Sequence, residues 1–171
     1  MILRLKKRLI CNVFIFFIFT STSVFAYVEP YLTIIDELSF GELTGFSGTC
    51  SLDYQTKELS HVSGTLCPFS DGRKGTPGKF FLFGNPNTQI SIRIKNKPNT
   101  GDGFSYTPSG VYSVSGFSDV AIISNTFQLV NTGNSGLIII NLGGTFTSAV
   151  QQSFNSTFDL VIEDAIQFIE Q

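Results

Sequence analysis

The sequence predicts an all-β protein: an antiparallel Ig-like or pilin-like β-sandwich of about eight to ten short strands, following a cleaved signal peptide. Three observations predict it. Apolar residues recur at every second position, most plainly where Ile90, Ile92 and Ile94 alternate with Gln89, Ser91, Arg93 and Lys95. Clusters of Gly, Asn, Asp and Pro separate such runs. The N-terminus has the three-part form of an export signal.

That N-terminus comes first in chain order. Arg4, Lys6, Lys7 and Arg8 form a basic region, Ile10 to Phe19 an apolar run, and Val24-Phe25-Ala26 a cleavage signal with small or apolar residues where a signal peptidase reads them. A membrane-spanning helix needs about 20 apolar residues, roughly twice this run. Cleavage is therefore expected between Ala26 and Tyr27, leaving residues 27–171 as a single domain with no integral membrane segment. Cys11 stands near the start of the apolar run, which follows it instead of preceding it, and so does not read as a lipidation site. Removing residues 1–26 takes four of the 11 Lys/Arg and none of the 13 Asp/Glu, so the remainder carries 7 − 13 = −6. An acidic chain is a poor partner for nucleic acid or an anionic membrane, both of which reward basic patches. Lys79, Arg93, Lys95 and Lys97 give one locally basic stretch, read as a solvated strand face.

Along the mature chain the signal is period two. On a helix, steps of two residues lie about 200° apart and scatter side chains around the axis, whereas on a strand they share one face. Leu38-Phe40, Phe127-Leu129 and Phe158-Leu160-Ile162 repeat the pattern of Ile90 to Ile94. Phe80 to Phe83 and Leu137 to Ile140 are apolar on both parities, which suits central strands or strands at the sandwich seam. Turn-forming segments lie between these runs: Pro68 to Gly78, Asn96 to Gly103, Asn131 to Gly136, and Asn85-Pro86-Asn87-Thr88, which reverses the chain ahead of the Ile row. The one helical candidate is the tail, Asp164 to Gln171, too short to be stable alone.

Cys50 and Cys67 survive processing, and export makes a disulfide between them the expectation. The residues between them read as two strands around a polar turn. With that turn centred on Glu58-Leu59, the cysteines lie opposite each other and staple the hairpin ends. Closing a loop of about 16 residues is worth roughly 3 kcal/mol.

Several stretches resemble the bacterial domain-of-unknown-function family 4402, a group of exported β-sandwich domains with a likeness to pilus subunits and adhesins. LSFGEL, Leu38 to Leu43, is similar to its opening strand. KFFLFGNPNTQISIRI, Lys79 to Ile94, is similar to its central hairpin, and LGGTFT followed by FNSTFDLVI, within Leu142 to Ile162, to its closing strands. In order these cover most of residues 31–163, leaving 164–171 as a tail. The family closes with a G-x-Y-x-G pattern, and here Phe154 and Ser156 stand in place of its Tyr and second Gly. The resemblance implies secretion and a surface role, and no catalytic residues.

Catalysis finds little to work with. His61 is the single histidine, read as solvent-facing beside Ser63 and Leu59, and no G-x-S-x-G elbow occurs. Asp36-Glu37 and Glu163-Asp164 are adjacent pairs whose side chains leave a strand on opposite faces; Asp53 with Glu58 is the third carboxylate pair. No catalytic, cofactor-binding or metal-binding residue is expected. Asn96, Asn99 and Asp102, near Gly101 and Gly103, offer oxygen ligands for a weak Ca²⁺ site but read more simply as a Gly-rich hairpin loop.

Interaction chemistry is the stronger expectation. Open strand edges pair with other chains, so the expected partners are other protein subunits. The function expected is an exported, non-enzymatic structural or adhesion module of the periplasm, cell surface or medium. Its candidate binding loops are Pro68 to Gly78 and Asn96 to Gly103. One alternative is a pilus subunit that donates Tyr27 to Ile35 as a strand, although that segment reads more simply as the first strand of its own sheet. The other is a carbohydrate-binding module using Tyr106, Tyr112 and Phe117.

Overall fold

The computed structural model describes residues 27–43, 47–67, 74–98, 103–149, 156–160 and 162–171. The N-terminal segment through Ala26, residues 68–73 of the Pro68 to Gly78 loop, Asn99 to Asp102 and Phe154 lie outside them.

Among the described residues twelve strands form: β1 Tyr31–Asp36, β2 Leu38–Leu43, β3 Gly48–Leu52, β4 Leu59–Gly64, β5 Gly78–Phe83, β6 Gln89–Ile94, β7 Phe104–Ser113, β8 Val120–Ala121, β9 Gln128–Asn131, β10 Leu137–Ser148, β11 Ser156–Leu160 and β12 Ile166–Glu170. Every pairing is antiparallel, as the sequence predicts. The count exceeds the expectation because β8 and β9 are short and the tail contributes β12.

The larger layer is a seven-stranded sheet organised on β10. Strand β7 runs along one edge of β10, from Ile139 opposite Ser113 to Ser148 opposite Phe104. The other edge is divided: β5 pairs with Leu137 to Leu142, and β3 pairs with Gly144 to Ser148. Gly143 sits at the changeover, where a Cβ would lie 2.1 Å from the Leu52 carbonyl oxygen. A residue with a side chain would push β3 off this edge. Strands β1, β4 and β8 complete the sheet beyond β5, β3 and β7.

The facing layer is β12-β6-β9 together with the β11-β2 pair. Ile90, Ile92 and Ile94 of β6 are fully buried, with Leu38 and Phe40 of β2. They meet Phe80 and Leu82 of β5, Tyr106 and Tyr112 of β7, and Ile138, Ile140, Leu142 and Phe146 of β10. Both layers alternate inward and outward residues, the pattern of a sandwich with a single core. The doubly apolar runs prove central or next to the edge. Their outer rows cover one another: Tyr31 stacks on Phe83 at 4.9 Å, and Phe81 meets Phe83 edge-on at 6.2 Å.

Four sequence expectations need correction. First, residues 85–88 do not close a hairpin. Strands β5 and β6 lie in different layers, because the Gly84 and Asn87 N–H groups bond to the Gly136 and Gly133 carbonyls and pin the turn to the loop ahead of β10. Second, the tail is a strand. Asp164 interrupts the alternation inside a 3-10 turn, Glu163–Ala165, after which Ile166 and Phe168 fall opposite Ile94 and Ile92. Third, Phe127 and Leu129 face out, at 43% and 59% exposed, because Val130 is the residue that pairs with buried Ile90. Fourth, the Cys50–Cys67 disulfide forms, with Cα atoms 5.7 Å apart, but not between facing hairpin positions. The Asp53 carboxylate accepts the Gln55 and Thr56 N–H groups at 2.8 Å and sets the turn at Tyr54 to Thr56. Cys50 therefore faces His61. Gly64, at φ +69°, lets the chain double back, so that Cys67 reaches Cys50 from beyond the strand.

Candidate functional site

The turn after β5 builds the site. Its Asn85 carbonyl accepts the Thr88 hydroxyl at 2.8 Å and the Thr132 hydroxyl at 2.7 Å, so the turn is tied both to itself and to the neighbouring loop. Asn87 takes φ +58°, a conformation Asn tolerates better than most side chains.

The Asn85 side chain then works as a short piece of strand. Its Oδ1 accepts the Val28 N–H at 3.1 Å, and its Nδ2 donates to the Val28 carbonyl at 3.1 Å. The β1–β5 ladder ends at Tyr31 opposite Phe83. Asn85 extends its hold toward the N-terminus by a side chain where the backbone has already turned away. Nδ2 also donates to Glu170 Oε1 at 3.0 Å. The first described residues are thus joined to the last strand through one amide.

These groups surround an open groove of about 770 Å³, lined by Tyr27, Val28, Gly84 to Thr88, Glu170 and Gln171. That volume falls within the range of about 300–1,000 Å³ usual for small-molecule sites. Glu170 supplies its formal charge. The Asn85 amide holds the Glu170 carboxyl below its ordinary pKa, against the opposing effect of burial, with lesser help from the Tyr27 and Thr88 hydroxyls. The Tyr27 phenol is held up, chiefly by its hydrogen bond to Glu170, then by burial and by the charges of Glu170 and Glu29. Glu170 is thus a carboxylate at neutral pH and Tyr27 a protonated donor to it.

A second pocket, of about 260 Å³, lies on the outer side of the large sheet among Asp36, Tyr54, Lys57, Thr76 to Lys79 and Asn141.

The residues singled out from sequence do not converge. His61 is exposed on β4, its Nε2 2.7 Å from the Gly64 carbonyl oxygen. Asp36 and Glu37 are exposed, and Asp53 is committed to its turn. Among the described residues no three His, Cys, Asp or Glu side chains gather as metal ligands. Of the Ca²⁺ candidates, Asn99 and Asp102 lie outside the described residues. The aromatic cluster dissolves. Tyr106 and Tyr112 occupy inward positions of β7 at 2% and 0% exposure, and Phe117 alone is exposed. Tyr106 donates its hydroxyl to the Gly143 carbonyl at 2.6 Å, and burial raises both phenols far above their usual range.

The groove itself escaped sequence reading. GNPNT announces a turn, but nothing local indicates that Asn85 meets Val28, 57 positions away, and Glu170, 85 away. Among the described residues no helix is long and apolar enough to cross a membrane. The chain matches no family model, no curated protein and no solved structure.

Proposed function

We propose that this chain is an exported, non-enzymatic β-sandwich that serves as a structural or adhesion module of the periplasm or cell surface. The observation that carries the reading is the buried Cys50–Cys67 disulfide. Such bonds persist in oxidising compartments and are rare in reducing ones. The secretory form of residues 1–26 and the resemblance to an exported sandwich family agree with it. Its working surfaces are loops held by a rigid scaffold, with the groove at the turn after β5 as the principal one. This reading is preferred to strand donation because Tyr31 to Asp36 pairs with β5 of the same chain.

Fractionation tests it. The protein is expected outside the cytoplasm, beginning at Tyr27, with both remaining cysteines refractory to thiol reagents until reduced. A cytoplasmic protein that retains Met1 and carries reactive Cys50 and Cys67 overturns it.

A further inference from the structure

The groove holds chemistry that its own hydrogen bonds do not exhaust. Both amide atoms of Asn85 are engaged, by Val28 and Glu170. An extended peptide therefore finds no strand-like partner there, because Val28 already occupies that place. The side-chain amides of Asn87 and Gln171 are different. Both residues are exposed, and neither side chain is engaged by another described residue. A carboxylate offers about four lone-pair positions, so Glu170 can accept about one further donor beyond Asn85, Tyr27 and Thr88. Tyr27 is 68% exposed, leaving much of its ring uncovered beside Pro86. Among the described residues no Lys, Arg or His side chain lines the groove, and the charged side chain there is the Glu170 carboxylate.

We propose that this groove binds a short saccharide that is uncharged or carries amines. Vicinal hydroxyls both donate and accept, which matches two amides and a carboxylate arrayed together. The apolar face of a pyranose suits an exposed Tyr ring with one polar end. The charge is complementary to an amine and repels sialylated, sulfated or phosphorylated ligands. The site differs from the buried Tyr106 and Tyr112. The inference rests on the adhesion reading and names its ligand class.

The test uses isotope-labelled protein recovered from expressing cells and a panel of neutral oligosaccharides, chitosan oligomers, and sialylated and sulfated glycans. A neutral or amine-bearing saccharide is expected to move the side-chain amide signals of Asn85, Asn87 and Gln171 in a saturable manner. Acidic glycans are expected to leave them in place. Losing the hydrogen bonds of a charged acceptor weakens binding about tenfold or more, so Glu170→Ala should do so, and Tyr27→Ala should weaken binding as well. Glu170→Gln keeps the shape, so a folded spectrum with selective loss of the amine-bearing ligands separates charge from folding. The proposal is overturned if no neutral or amine-bearing glycan moves those signals, if acidic glycans bind best, or if Glu170→Ala binds as the parent does. Silence toward glycans in a protein that fractionates outside the cytoplasm defeats this inference alone. A cytoplasmic location defeats the adhesion reading whatever the glycan result.

Discussion

Breaking the disulfide should lower stability by about 3 kcal/mol on the chain-entropy account, and the geometry says why the whole term is available. The cysteines are 17 positions apart, and the loop they close holds the turn capped by Asp53 and the edge strand β4. That loop is also held by the buried Leu52 and Leu66 and by the Glu58–Lys74 bridge, so the disulfide adds to these contacts and does not replace them. The residues of β4 after Leu59 are all exposed, and among the described strands β4 pairs only with β3. Cys50 and Cys67 are themselves 0% and 1% exposed, so a reductant reaches them only after local opening. At roughly 2–4 °C per kcal/mol for a chain of this size, the shift is about 6–12 °C in Tm. The assay compares thermal and urea unfolding of three samples: the oxidised protein, the same protein reduced, and Cys50→Ala/Cys67→Ala. Reduced protein and double variant should melt close together, well below the oxidised form. The reasoning is refuted if oxidised and reduced forms melt within about 1 °C of each other, since the chain-entropy term would then be absent. It is refuted too if the double variant alone is destabilised, because lost packing rather than lost constraint would then be responsible.

Four further predictions address other parts of the molecule. Gly143→Ala should cost about 3 kcal/mol or prevent folding, because the new methyl meets the Leu52 backbone at 2.1 Å; an unchanged urea midpoint contradicts the divided edge of β10. Ile166→Ala should lose about 2–5 kcal/mol, because the residue is 6% exposed and faces Ile94; a tail that did no structural work would show no loss in the same titration. Tyr106→Phe should destabilise by about 1 kcal/mol through loss of the bond to the Gly143 carbonyl, whereas Tyr112→Phe should stabilise by a similar amount. The second expectation follows because the Tyr112 hydroxyl is buried without a partner among the described residues; calorimetry of both variants checks the opposite signs. Finally, hydrogen bonds from Thr56 and Gln55 hold the Asp53 carboxyl below its ordinary value of 3.8. A depressed folded value stabilises the turn above the unfolded value, and that contribution disappears as pH falls through the folded one. The amide signals of Gln55 and Thr56 should therefore move at a pH below 3.8, and movement centred above it would contradict the assignment.

How legible the protein was depended on the range of the interaction. The Ile90 to Ile94 row was readable because a period of two needs only adjacent residues to be recognised. The cysteine pairing was readable because, apart from Cys11 in the N-terminal segment, Cys50 and Cys67 are the cysteines of the chain. The register between them was not. Asp53 is an ordinary polar residue until its carboxylate is seen holding two amides, and that contact moves the turn toward the N-terminus. The parity of Phe127 to Val130 was ambiguous for a related reason. Two apolar residues on one parity and one on the other do not say which face is covered, and β6 decided it by pairing Val130 with Ile90.

By itself, the sequence determined that the chain is built of antiparallel strands, that alternate Ile, Leu and Phe side chains fill one interior, and that Cys50 bonds Cys67. These follow from local spacing and from a count of cysteines. Tertiary structure alone decided which strands are neighbours, that Gly143 marks a change of partner, that the final residues complete a sheet, and that Tyr27, Asn85 and Glu170 meet in one groove. The reason is physical. Backbone hydrogen bonds between strands are chemically alike, so local sequence leaves the pairing open. Only simultaneous burial of every apolar row selects among the arrangements, and the groove is a consequence of that selection.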